Sequence, residues 1–199
     1  MSKDLSIAFT PRKITLCMGL FLLVSCNQQT ISYKEISKRT EASKEVVEQF
    51  ASQLKQELQT AMKAGGPIQA ISVCHEQAPK IEQQLSAQTG WKIYRTSLKP
   101  RNAKPDAWEK RMMLSFEQRH NDGDKFKSLF NQDVTNVNGI PSFRYIQAIE
   151  TKSMCLVCHG ENIAPEITKK IAQLYPTDKA TGFKEGDIRG AFSITQPLE

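Results

Sequence analysis

The chain is poor in residues that hold a metal unaided: its 199 residues include five cysteines and three histidines. It has no second C-x-x-C and no H-x₃₋₅-H pair, so no motif supplies the four ligands of a structural zinc site. It lacks Lys/Arg runs and any ladder of aromatics among basic residues, and a formal charge of +6 is too modest to be a nucleic-acid signature. There is no internal repeat, no low-complexity segment and no recognisable kinase or cyclase signature. The apolar run at residues 14–24 is too short to span a bilayer as a helix.

What is present is concentrated in one stretch, Cys155-Leu156-Val157-Cys158-His159, followed by Gly160. This is C-x-x-C-H, the attachment pattern of a c-type haem. Two thiols three residues apart suit the two vinyl groups, and the adjacent imidazole suits the iron as proximal ligand. The bland alternatives are a thioredoxin-like redox pair, half a zinc site or a disulfide. The first expects a βαβ setting without the fixed His, and the second lacks partners.

Haem c is attached outside the cytoplasm, and the first 25 residues fit export. Lys3, Arg12 and Lys13 precede the short apolar run, and Leu23-Val24-Ser25-Cys26 closes it like a bacterial lipobox. The expectation is a signal peptide over 1–25, a lipidated Cys26, and a chain anchored on the periplasmic side of the cell envelope. Asn27, in place of Asp, favours the outer membrane over the inner. Residues 26–42 are expected to form a flexible tether and 43–199 a single domain.

With Cys17 in the leader, Cys26 lipidated and Cys155 with Cys158 committed, Cys74 is left without a partner. It lies on an apolar stripe with Ile71, Ala78, Ile81 and Leu85, in a helix expected between Pro67 and Gly90. A buried small residue and an iron ligand are both open readings there. His75, at the stripe's edge, and Met112 or Met113 compete with it as ligands. An earlier helix runs through Val46, Val47, Phe50, Leu54, Leu58 and Met62 to Gly65-Gly66, where Met62 reads as core.

The rest reads as a strand over 91–96, a donor-rich loop to Pro105, a helix from Asp106 to His120, strands near 126–134 and 142–150, a helix over 164–174 and a last strand. In that last strand Ile188, Gly190, Phe192 and Ile194 are expected on one face. Helices first and antiparallel strands later make an α+β fold. Arg95 and Arg101 can pair with haem propionates, helped by Ser97 and Asn102, or they can pair with acidic side chains.

Several stretches together resemble a known family: the Cys74 helix, Arg95-Thr96-Ser97-Leu98-Lys99-Pro100-Arg101-Asn102, Asp106-Ala107-Trp108-Glu109, the Cys155–Gly160 motif, Tyr175-Pro176, Gly182, Gly186-Asp187 and Gly190-Ala191. The chain is similar, over about residues 43–196, to the single-haem c-type domains with a PAS-like fold. That resemblance implies a PAS-like antiparallel sheet with N-terminal helices around one covalent haem c. It also implies ligation by His159 and by the thiolate of Cys74. The resemblance says little about physiological role; the leading expectation is electron transfer or redox and small-ligand sensing, through a protein partner. A small peroxidase is the alternative; it would need His75 or His120 with Arg95 or Arg101 beside an open iron. A ligand-binding PAS module with structural haem is another.

Overall fold

The computed structural model describes residues 31–198. Cys17, Cys26 and the leader lie outside the described residues. Helix α1 (Tyr33–Thr89) is capped by Ser32, whose side chain accepts a hydrogen bond from the Glu35 amide at 3.2 Å. The expected tether is therefore corrected: residues 33–42 already belong to this helix, and the buried Thr40 packs with the fold. Residues too polar to show periodicity are held there by long-range pairs, such as Arg39 with Gln196 at 3.1 Å.

The two expected helices are two arms of α1, broken at Gly65 and Gly66. Gly66 has φ 65° and ψ −160°, a conformation that glycine reaches at little cost, and Pro67 restarts the helix. Gly90 ends it at φ 73°, with its amide donating to Ser86 at 2.9 Å.

Strands β1 (Lys92–Thr96), β2 (Phe130–Val137), β3 (Ile140–Glu150) and β4 (Ile188–Pro197) form an antiparallel sheet in the order β1-β4-β3-β2. Helix α2 (Ala107–Asn121) carries a full capping box between Asp106 and Glu109. The chain is α+β, as its pattern indicated. The β2–β3 connection is tighter than expected: Asn138 (φ 53°) and Gly139 (φ 87°) make a two-residue turn, and both strands extend into the segment read as a loop. Phe126 sits in a short 3₁₀ turn rather than in β2.

Alternation along β3 separates two cores. Phe143 and Tyr145 pack with Val46, Phe50, Ile81 and Leu85 of α1, whereas Ile146 and Ala148 pack with Trp108, Met113 and Phe116 of α2. Both faces of the central strands are thereby covered. A third cluster joins Ile71 of α1 to Ile167 and Ile171 of helix α4 (Pro165–Leu174) and to Tyr175. The space between the α1 core and this third cluster is where the chemistry-bearing residues meet.

One register detail shapes that space. Ile149 of β3 pairs with Gly190 and Glu150 pairs with Ile188, so Arg189 is an extra residue, a β-bulge. The shared face expected for Ile188, Gly190, Phe192 and Ile194 is corrected accordingly. Ile188 packs with the α2 core while Phe192 and Ile194 pack with α1, because the bulge shifts the alternation by one.

Candidate functional site

The C-x-x-C-H stretch forms one turn of helix, α3 (Leu156–His159), with Cys155 as its cap residue. At this spacing Cys155, Cys158 and His159 stand on one face. The turn is closed by the Gly160 amide donating to the Leu156 carbonyl at 2.9 Å. A Cβ at Gly160 would lie 2.6 Å from that carbonyl oxygen, so any side chain there would force the turn open.

The structure brings together a cavity of about 250 Å³ with Cys74, Arg95, Arg101, Cys155, Cys158 and His159 all in its wall. Met62 lines it as well, where core packing alone was expected. The three cysteines are free thiols. His75 instead packs edge-on against Tyr175 with ring centroids 5.1 Å apart, and His120 packs against Phe126 at 4.7 Å. Met112 and Met113 belong to the α2 core beyond the sheet. The competing ligands are thus placed elsewhere.

His159 is oriented for coordination. Its Nδ1–H donates to the Ala180 carbonyl at 2.6 Å, which leaves the Nε2 lone pair free. Burial, then the positive charges of Arg189 and Arg101, lowers its pKa to about 2, so the imidazole is neutral at ordinary pH. Neutral imidazole is the form that binds a metal. Burial pushes the Cys74 thiol up, against the pull of Arg95, Arg189 and Arg101.

Both arginines singled out in the sequence have acidic partners. Arg101 forms a bidentate pair with Asp178 (2.9 and 3.1 Å) and also donates to the Cys158 carbonyl at 3.1 Å. It ties the loop after β1 to the C-x-x-C-H turn. Arg95 lies 3.5 Å from Glu82 and over the Phe50 ring at 5.3 Å. Ser97 donates to the Arg189 carbonyl at 2.7 Å, and Asn102 lines the cavity. Pairing with acids, the alternative reading of these arginines, is the arrangement observed.

Because the Arg101–Asp178 pair is largely buried, Arg101→Ala should cost about 3 kcal/mol, as expected for an uncompensated buried charge. Arg101→Lys should recover only part of it, since an ammonium cannot form the two-pronged contact. Chemical denaturation midpoints test this. A loss below about 1 kcal/mol, the scale of an exposed pair, would show that the contact does not hold the turn.

Arg189 was not recognised from the sequence. It also lines the cavity, its Nε is shielded from solvent, and that atom has no hydrogen-bond partner among the described residues. Alternation along β4 would have placed it with Ala191 on the α2 face; only the bulge reverses this.

Residues 27–197 match the model of the Tll0287-like family. The chain belongs to the Tll0287-like family. The crystal structure of the cyanobacterial heme-protein Tll0287 shares the fold of this Tll0287-like chain at a TM-score of 0.58 and 22% identity, covering 85% of this chain and 98% of that one. Among curated proteins none matches in sequence.

Proposed function

We propose that this Tll0287-like chain is a haem c protein of the cell envelope, lipid-anchored through Cys26, that works in electron transfer or in redox and small-ligand sensing. The observation that carries this reading is the C-x-x-C-H turn in the wall of a cavity that also holds Cys74, with His159 neutral and its Nε2 unengaged. Membership of the Tll0287-like family, together with a fold shared with a cyanobacterial heme-protein, supports it. The residues fit the group: Cys155 and Cys158 offer two thiols at the spacing of the vinyls, His159 and Cys74 offer two iron ligands, and the apolar wall includes Leu54, Leu58 and Ile71.

Haem held there supplies one-electron chemistry at its iron. The chain's residues set the conditions for that chemistry. The Ala180 carbonyl strengthens His159 as a donor by holding its Nδ1 proton. The charge of a Cys74 thiolate favours the ferric state and lowers the potential. Were haem bound, Cys74 would be the ligand that could take up a proton when the iron is reduced, the direction in which burial already pushes its thiol. That is a two-state element suited to a sensor. A peroxidase reading finds less support, since neither His75 nor His120 is among the residues lining the cavity.

Protein matured in a haem c-producing host should gain the mass of one haem and retain it through acid–acetone. Haem that extracts freely would overturn the proposal. The anchor has its own test. Cys26→Ser should release protein from the membrane fraction or leave it unprocessed, and a wild type already soluble after lysis would remove the lipid anchor.

A further inference from the structure

We propose that Arg189 is the carboxylate-binding residue of the cavity, receiving a propionate of the bound haem. This inference rests on the haem reading above and deepens it.

Charge balance around the cavity is the first argument. Arg101 is matched by Asp178, and Arg95 has Glu82 at 3.5 Å although its Nε, like that of Arg189, makes no hydrogen bond; Arg189 differs in forming no ion pair with any acid among the described residues. A guanidinium withdrawn from water without an anion is costly, and burial depresses its pKa. A protein keeps such a group where a ligand supplies the missing charge. Haem carries two carboxylates, and a guanidinium fork matches a carboxylate in planarity and spacing.

Placement is the second, independent argument. Arg189 is the bulged residue of β4, lifted out of the ladder between Gly190 and Ile188. Bulges at the edge of a site commonly serve to re-aim one side chain. The geometry here is held from both sides: Ser97 donates to the Arg189 carbonyl at 2.7 Å, and Gly190 lets the backbone of β1 approach closely. A Cβ on Gly190 would lie 2.4 Å from the Thr96 carbonyl oxygen. The backbone that presents Arg189 is therefore tied down while the guanidinium nitrogen Nε is left without a bond.

The test uses holoprotein with covalent haem, comparing wild type with Arg189→Gln and Arg189→Lys by resonance Raman and redox titration. The propionate-bending mode should shift in Arg189→Gln and shift less in Arg189→Lys. The ferric form of Arg189→Gln should gain roughly tenfold over the ferrous form at fixed potential, the order expected for one charge about 10 Å away at an effective dielectric near 20. If Arg189→Gln yields no holoprotein, the Lys variant decides, because an ammonium cannot reproduce the two-pronged contact and the mode must still move. A mode unmoved in the variants overturns the assignment. So does a change confined to axial-ligand bands, which would make Arg189 a partner of the iron ligands instead. A wild type without haem overturns the haem reading and this inference together; a haem-bearing wild type with unmoved propionates overturns only this one.

Discussion

Replacing Cys155 and Cys158 together by alanine should abolish covalent haem completely. Both thiols are free, Cys155 at the cap of the turn α3 and Cys158 within it, and the sequence has no second C-x-x-C-H. The double variant should therefore have the mass of the bare polypeptide after denaturation. His159 should remain poised, because its Nδ1 contact is to the Ala180 backbone and owes nothing to the cysteines. Any haem the variant keeps should then extract into acid–acetone, and Cys155→Ala alone should leave one thioether. Whole-protein mass spectrometry reads all three outcomes. A double variant that still carries one haem through denaturation would show that attachment is elsewhere.

Cys74→Ala should change the iron's ligation while leaving attachment intact. Among the described residues Cys74 is the thiol outside the C-x-x-C-H turn that lines the cavity, and the rival side chains His75, Met112 and Met113 do not line it. The wild-type ferric protein should be low-spin, with the near-infrared charge-transfer band of a thiolate. The variant should become high-spin or water-ligated, and its reduction potential should rise by on the order of 0.1 V, part of the ~0.8 V over which axial ligands set haem potentials. The haem-free chain should change little in stability, since only a half-buried small side chain is lost from the cavity wall. An unchanged low-spin spectrum would transfer the ligand role to His75. Absorption near 695 nm in the wild type, roughly where Met-ligated cytochromes absorb, would transfer it to a thioether.

Local chemistry explains which parts of this chain can be read without coordinates. C-x-x-C-H is legible because its function needs three side chains on one helical turn, and one turn is encoded by adjacent residues. The breaks at Gly65-Gly66 and Gly90 are legible for the same reason, since a positive φ favours glycine at a particular place. Periodicity likewise located both arms of α1 and the strand bearing Arg95. It failed at residues 33–42, where the helix is polar and its burial comes from β4 through Arg39 and Gln196. Intrinsic pattern is silent when the partner that buries a residue is over 150 positions away.

By itself, then, the sequence determined the α+β class, the two-armed helix, the attachment-type turn and the stripe that carries Cys74. The tertiary structure decided how these parts share a cavity and what each charge does there. For Arg95 and Arg101 the sequence leaves propionates and acidic side chains equally open as partners; packing brings Glu82 and Asp178 to them, the latter from 77 residues away. Nothing beside Arg189 in the sequence marks it, yet the bulge in the β3–β4 pairing places it in the cavity wall with no ion pair among the described residues. The physical reason is that helical turns and glycine conformations are set by neighbours in the chain, whereas strand register and ion pairing are set by whichever segments the packed sheet brings together.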